Sequence, residues 1–395
     1  MPLGLYISVP FCRTKCSYCN FASDVLSRVI FDRYIARTCS DIAHASENAR
    51  EMGGRYERAV DSIYLGGGTP TILDIAQLER LFVTISQNFA VASNAEITVE
   101  CAPGTLTTST IDAFRRCAVN RVSLGVQSFV DTEAASVGRL HNRATVLEDL
   151  ARLRAAGMEN INIDLIAGLP HQTPESWDFS LNQAIAAHAP HLSVYMLEID
   201  GDSRLGRELI AGGTRYHAHF VPNEEVTATL YETAWRRLEA VGVKQYEISN
   251  FARAGHQSRH NLKYWTRQPY LGFGVDAHSM LPAAGSEHEA VRFSSADALE
   301  DYVAGAALKR APVSPLEAVE ETFFLGLRLN SGVDLQKADE RFGSDAMRPF
   351  LAPIAEMLGQ GLLAGQGSLI WLTPRGRLLS NEVFERFILT TEHVG

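Results

Sequence analysis

The sequence predicts an α/β fold: a barrel or partial (β/α) barrel, followed by a smaller winged-helix-like α+β unit. Three observations carry this. Six short apolar runs alternate with amphipathic stretches between Leu5 and Val241. Chemically unusual residues recur at the ends of those runs. The last third of the chain changes pattern, to helices followed by a glycine-interrupted hairpin.

Leu5–Phe11, Ser62–Leu65, Ala95–Cys101, Arg121–Val126, Asn160–Ile166 and His191–Ile199 read as strands. Between them, Ile75–Phe89 places Leu78, Leu81, Phe82 and Ile85 on one helical face, and Thr145–Ala156 does the same with Val146, Leu147, Leu150 and Leu153. Pro222–Val241 reads as a long helix with Val226, Leu230 and Leu238 on one stripe, and Gly242 is placed to end it. Strand–helix alternation implies parallel strands joined by right-handed crossovers. Six units in one run favour a barrel or partial barrel; an open doubly wound sheet is the alternative. From Tyr246 the pattern is irregular, and Ala283–His288 reads as a turn. Glu317–Leu327, Asp334–Phe342 and Met347–Gln360 read as helices, with Pro349 and Pro353 in the first turns of the last. Leu362–Leu372 reads as a hairpin and Gly376–Phe387 as a closing helix. The expected units are 1–245, a connecting segment 246–290, and 291–395.

At 395 residues, two domains are the natural expectation. A hydrophobic share of 46% is enough for a full core, and no run of about 18 apolar residues offers a membrane span. The Met-Pro-Leu-Gly start is too short for a targeting segment, so the expected address is cytoplasmic. A net charge of -10 disfavours a nucleic-acid partner. The winged-helix pattern does not reverse that, because no basic recognition helix accompanies it.

Directly after the first strand come Cys12, Cys16 and Cys19, spaced Cys-x3-Cys-x2-Cys. An iron–sulfur cube normally takes four cysteines, so three would leave one iron open to another ligand. Structural zinc needs a fourth donor, normally from a second pair, whereas Cys39, Cys101 and Cys117 stand alone. A disulfide framework suits small secreted domains rather than a chain of this length. Inert burial fits poorly with the interleaved Arg13, Lys15 and Asn20.

The other motifs fall at the same ends of successive strands, where a barrel of this type carries its chemistry. Gly66-Gly67-Gly68-Thr69-Pro70 follows the second strand; Glu100 closes the third, Gln127 the fourth and Asp164 the fifth. Each has a bland alternative: a tight turn, a solvated strand end, or, for Arg139, a surface helix. Taken with the cysteines they suit a zwitterion, with a carboxylate for its ammonium, an arginine for its carboxylate and acceptors for ribose hydroxyls. That ligand resembles S-adenosylmethionine, whose amino and carboxylate groups would chelate the open iron.

These motifs resemble the radical S-adenosylmethionine superfamily. Tyr6, Val9-Pro-Phe-Cys12, Gly66–Thr71, Gly125-Val-Gln-Ser-Phe129, Gly138-Arg139-x-His141 and Asp164-Leu-Ile-x-Gly-Leu-Pro170 resemble the oxygen-independent coproporphyrinogen III oxidase group, over nearly the whole chain. The resemblance implies a [4Fe-4S] cluster on Cys12, Cys16 and Cys19. It implies S-adenosylmethionine contacts from Tyr6, Tyr18, Gly67, Gly68, Thr69, Glu100, Gln127, Arg139 and Asp164. Within the group, the chain is similar to the haem-chaperone branch. Phe21 stands where the oxidases carry a further cysteine, the oxidases' N-terminal extension does not precede Tyr6, and His260-Asn261-Leu-Lys-Tyr264-Trp265 matches that branch's His-Asn-x-x-Tyr-Trp signature. By this resemblance His260, Asn261, Tyr264 and Trp265 would bind haem, His260 by an axial imidazole. A structural turn is the competing reading of the same residues. The expected function is haem binding and delivery to an acceptor apoprotein, such as a membrane respiratory enzyme, with homodimerisation implied at family level. Oxidative decarboxylation of coproporphyrinogen III is the rival. Ser8, where the group has histidine, and Glu100-Cys-Ala-Pro103, where it has Glu-x-Asn-Pro, both weigh against oxidase chemistry.

Overall fold

The computed structural model describes residues 1–25 and 27–389. Its centre is a parallel run of six strands in chain order: β1 (Leu3–Val9), β2 (Ala59–Gly67), β3 (Ala90–Cys101), β4 (Arg121–Gln127), β5 (Ile161–Ala167) and β6 (His191–Met196). The sheet continues antiparallel beyond β6 through β7 (Lys244–Gln245) and β8 (Asn250–Ala252), with β8 against β6. On the other side, β9 (Tyr270–Phe273) lies parallel to β1, followed by β10 (His278–Pro282), β11 (Ala290–Ser294) and β12 (Lys309–Val313). The two edges of this 12-stranded sheet, β12 and β7, do not pair, so the barrel is partial.

Crossover helices cover the outer face. Ile75–Asn88 begins at a capping box, with Asp74 accepting the Gln77 N–H at 2.8 Å and Gln77 Oε1 accepting the Asp74 N–H at 3.1 Å. Its Leu78, Leu81, Phe82 and Ile85 are buried in one core with Leu5, Ile7, Ile63, Leu65, Val99, Leu124 and Ile163 of the strands. Residues opposite these along each strand face the barrel interior, because side chains alternate with period two.

The second core belongs to the C-terminal part, where Phe323, Phe350 and Phe387 stack together, Phe323–Phe387 at 4.8 Å and Phe323–Phe350 at 5.0 Å between centroids. It contains a three-stranded sheet in which β15 (Leu369–Leu372) lies between β13 (Val333–Asp334) and β14 (Leu363–Gln366). The hairpin is where the sequence places it. Strand β13 is additional, and at two residues it is too short for periodicity to reveal.

Three expectations are corrected. Residues 290–313 extend the large sheet as β11 and β12 instead of joining the C-terminal unit; these strands are five residues each and include Pro312, so no alternation announced them. The helix expected over Met347–Gln360 is interrupted by a 3-10 turn at Arg348–Phe350, because Pro349 lacks an N–H to donate; the α-helix resumes as Leu351–Gly359, with Pro353 in its first turn. The closing helix is two pieces, Pro374–Leu378 and Ser380–Glu385, broken at Leu379. Among the described residues no helix is long and apolar enough to cross a membrane.

Candidate functional site

The interior face of the parallel strands is polar. In register, Tyr6 stands beside Tyr64, Tyr64 beside Thr98, and Thr98 beside Arg121. Glu100 stands beside Ser123, Ser123 beside Asn162, and Asp164 beside Ser193. Paired residues of parallel strands point the same way, so these side chains line one chamber.

The cysteine loop closes the end of β1. Cys12 N–H donates to Asp24 O at 3.0 Å, and Asp24 N–H returns to Pro10 O at 2.9 Å, clamping the loop's two ends together. Thr14 Oγ1 donates to Gly138 O at 2.9 Å, and Ser17 N–H to Val137 O at 3.1 Å, tying the loop to the segment after β4. Leu205 N–H donates to Ser17 O at 2.8 Å from a further helix, Arg204–Ala211.

All three sulfurs have polar company. Thr69 Oγ1 lies 3.9 Å from Cys12 Sγ, Arg139 Nη1 lies 3.6 Å from Cys16 Sγ, and Ser23 Oγ lies 3.9 Å from Cys19 Sγ. Burial raises the Cys12 and Cys19 thiol pKa values; the Ser23 and Thr69 hydroxyls oppose this at Cys12, and the Phe21 N–H and Ser23 oppose it at Cys19. Burial works against the Arg139 charge, but Cys16 and Tyr18 outweigh it, so its pKa lies above the ordinary value. Tyr18 packs against the cluster of Val137, Ile166 and Leu169.

The glycine turn passes under this loop. Gly68 N–H donates to Val9 O and Thr69 N–H to Phe11 O, both at 2.8 Å. A Cβ on Gly68 would stand 2.7 Å from Phe11 O and 2.8 Å from Val9 O, so only glycine lets the two backbones approach this closely. Gly67 has φ +101, which L side chains rarely adopt, and its N–H donates to Glu100 Oε2 at 3.2 Å. Tyr6 Oη is within 3.4 Å of where a Gly67 Cβ would lie.

Glu100 also accepts the Tyr64 hydroxyl at 2.7 Å. Burial pushes its pKa up to about 7; the Tyr64 and Gly67 hydrogen bonds oppose the rise, and Asp164 adds to it. Asp164 accepts Ser123 Oγ at 3.1 Å and Asn162 Nδ2 at 2.7 Å, and burial raises its pKa as well. Gln127 has φ +67, and a Cβ on Gly125 would lie 3.2 Å from its Nε2 and 3.0 Å from Arg139 Nη2. Arg139 donates to Gly125 O. His141 is buried, with Nε2 3.1 Å from Val126 O, and burial followed by the Arg139 charge lowers its pKa to about 4.

Thus the cysteines, Tyr6, Tyr18, Gly67, Gly68, Thr69, Glu100, Gln127, Arg139 and Asp164 gather at the same end of the parallel strands. Sequence reasoning missed Tyr64, Ser123, Asn162 and Ser193, which orient the two carboxylates. Their only signal was polar residues at every second position of runs that read as apolar.

His260 lies behind the chamber, packed against Tyr64. It is 1% exposed on the short helix Arg259–Trp265, whose first N–H groups are capped by Glu96, at 3.1 Å from each of Arg259 N and His260 N. Its Nδ1 lies 3.1 Å from Ser62 Oγ and its Nε2 lies 2.8 Å from Tyr264 Oη. The ring stacks on Tyr64 at 5.4 Å, and burial lowers its pKa to about 3. Both ring nitrogens therefore have hydroxyl partners within the protein. Tyr264 packs edge-on against Tyr270 at 4.6 Å between centroids, Trp265 lies under the Arg328 guanidinium at 4.4 Å, and the Asn261 N–H is capped by Ser258 Oγ at 3.3 Å. The motif closes the chamber beneath Tyr6 and Tyr64.

A six-strand parallel sheet whose polar chamber opens on a three-cysteine loop defines a radical S-adenosylmethionine protein. The Radical SAM superfamily profile matches residues 6–184, and the HemN C-terminal domain profile matches residues 313–379. The chain is 34% identical over 390 residues to "Heme chaperone HemW" of Bacillus subtilis (strain 168), covering 97% of this chain and 98% of that protein. It is 30% identical over 391 residues to the protein of the same name in Escherichia coli (strain K12), covering 98% of each. The solved structure of coproporphyrinogen III oxidase (HemN) from Escherichia coli superposes with a TM-score of 0.82 at 25% identity, over 98% of this chain and 90% of that one. The chain belongs to the HemW family of radical S-adenosylmethionine proteins.

That membership implies S-adenosylmethionine and a [4Fe-4S] cluster as cofactors. The donor set fits them: three free thiols in one clamped loop, each near a hydroxyl or guanidinium donor, beside a chamber with two buried carboxylates. Iron coordination deprotonates a thiol outright, which reverses the upward push that burial exerts on Cys12 and Cys19. Among the described residues no three His, Cys, Asp or Glu side chains already stand at metal-ligating geometry. The fit rests on donor chemistry and surroundings.

Proposed function

We propose that this chain is a haem chaperone that holds haem beside a [4Fe-4S] cluster and S-adenosylmethionine and delivers the haem to an acceptor protein, with membrane respiratory enzymes as the class of recipient. The observation that carries the reading is end-to-end similarity to proteins named heme chaperones, at 34% identity, against 25% for the oxidase. Phe21 adds support: it is 63% exposed where the oxidases carry a further cysteine, so the loop presents an apolar ring instead of a thiol. Six free cysteines favour a reducing, cytoplasmic address.

In this reading Cys12, Cys16 and Cys19 hold the cluster. When bound, the cofactor pair supplies one-electron chemistry at the sulfonium carbon. The chain supplies binding and orientation. Arg139 pairs with a carboxylate, and Glu100, as an anion, receives an ammonium together with Gly67–Thr69. Asp164 and Gln127 accept ribose hydroxyls, and Tyr6 and Tyr18 wall the chamber from water.

Two assays on anaerobically reconstituted protein separate the readings. Transfer of bound haem to an apo-acceptor, read by recovery of the acceptor's haem spectrum, is expected. Conversion of coproporphyrinogen III under reducing conditions would make the protein an oxidase and overturn the proposal.

A further inference from the structure

A buried line of hydrogen bonds runs from the helix Arg259–Trp265 to Asp164. It starts at Ser258, the N-cap of that helix, whose backbone N–H donates to Tyr246 Oη at 3.1 Å. Tyr246 Oη lies 2.9 Å from His191 Nε2, and His191 Nδ1 lies 2.6 Å from Asn162 Oδ1. Asn162 Nδ2 then lies 2.7 Å from Asp164 Oδ1. His191 opens β6, stands beside Asn162 in register and is fully buried.

Proton counting fixes the direction of every link. A phenol has one proton. The Tyr246 oxygen accepts the Ser258 N–H, so its own proton is free for His191 Nε2. Burial, followed by the Arg121 and His256 charges, holds the His191 pKa well below the ordinary value, so the ring is neutral and carries a single N–H. That N–H sits on Nδ1 and donates to Asn162 Oδ1. The amide oxygen is thereby held toward His191, and the NH2 group is left facing Asp164. The same NH2 reaches Ser123 Oγ at 2.7 Å, and Ser123 Oγ donates to Asp164 Oδ2 at 3.1 Å. Both carboxylate oxygens are thus oriented from one amide. A flipped Asn162 would set its oxygen against Asp164 Oδ1 and its NH2 against the Nδ1–H, two repulsive contacts.

We propose that His191 is a positioning residue for S-adenosylmethionine: it fixes the Asn162 amide, and through it the carboxylate of Asp164 that accepts the ribose hydroxyls. It acts through Asn162 rather than by contact with the cofactor. An apolar side chain could fill the same buried volume, but it would leave Asn162 Oδ1 and Tyr246 Oη without these partners.

The inference rests on the reading of Asp164 as the ribose acceptor, and one set of titrations separates their failures. S-adenosylmethionine, and the analogue whose ribose lacks both hydroxyls, are titrated calorimetrically into the full-length, anaerobically reconstituted protein. Wild type should prefer S-adenosylmethionine by about tenfold or more, because the analogue leaves buried acceptors unpaired. Asp164→Asn should lose most of that preference. His191→Asn and His191→Gln both remove the ring but keep different atoms: the Asn side-chain nitrogen can take the place of Nδ1, and the Gln nitrogen that of Nε2. His191→Asn should therefore keep the preference to within about threefold, while His191→Gln should retain no more than about twofold and bind the analogue as wild type does. A packing role would affect the two variants alike, so equal effects of His191→Asn and His191→Gln overturn the inference while the ribose reading stands. Should neither variant fold, Tyr246→Phe, which frees the His191 tautomer without touching Asn162, should lower the preference by about threefold; an unchanged preference there overturns the inference. A wild type that does not discriminate, or an Asp164→Asn protein that discriminates as wild type does, overturns both.

Discussion

Glu100 carries a measurable pH signature. Its carboxyl has a pKa near 7 in the fold against an ordinary 4.5, chiefly because it is buried. The folded form therefore holds its proton more tightly than the unfolded form, and stability falls as pH rises between those two values. Below about 4.5 both states are protonated and no penalty applies; above about 7 the full penalty is present. At about 1.4 kcal/mol per pH unit, the gap corresponds to roughly 3 kcal/mol. Glu100→Gln removes the titration. The amide can still accept the Tyr64 hydroxyl, but its NH2 then faces the Gly67 N–H, at a cost of about 1 kcal/mol or more. The variant should be slightly less stable than wild type near pH 5 and about 2 kcal/mol more stable at pH 8. Urea denaturation of both forms without cofactors, from pH 5 to pH 9, measures this. A wild-type-to-variant difference that stays flat to within about 0.5 kcal/mol across that range would refute the burial argument.

Three further outcomes follow from contacts in the site. Gly68→Ala drives a methyl to 2.7 Å from Phe11 O, so it should lower stability by about 1–3 kcal/mol and weaken S-adenosylmethionine binding; calorimetry on both properties checks this. Arg139→Gln removes the guanidinium within hydrogen-bonding reach of Cys16 Sγ and should weaken S-adenosylmethionine binding by at least tenfold, measured by isothermal titration of the reconstituted protein, with little change in melting temperature. His260→Phe deletes two buried hydrogen bonds while keeping the ring stack; it should cost about 2–4 kcal/mol, seen as a lower urea midpoint.

The parts of this arrangement that the sequence revealed are those with local signals. Cys12, Cys16 and Cys19 are adjacent, the glycine run is contiguous, and Glu100 and Gln127 mark strand ends. Three helices of the first part were visible in their apolar stripes, and Ile75–Asn88 ends within a residue of where the pattern ends; Leu147, placed on such a stripe, is exposed instead, and the helices Val29–Ala43, Thr108–Arg116 and Pro174–Ala186 were not read. What stayed hidden depends on distance along the chain. Tyr64 of β2 reaches Glu100 of β3 across 36 positions, and Glu96 reaches the His260 N–H across 164. The burial of His260 stayed hidden too, because a His-Asn-x-x-Tyr-Trp string does not say which way its helix faces. Glu96 capping that helix turns the imidazole toward Ser62 and Tyr64. Strands β9 to β12 escaped because each is only four or five residues long, too short for a clear alternation.

Everything proposed for the site depends on Cys12, Cys16 and Cys19 holding one cluster at the mouth of the chamber. Iron and acid-labile sulfide, quantified after oxygen-free reconstitution of the full chain, test this most directly. The account predicts about four irons per wild-type chain and near-complete loss when any one of the three is changed to serine. Wild-type protein without iron, or a Cys12→Ser, Cys16→Ser or Cys19→Ser protein that loads as fully as wild type, would contradict it.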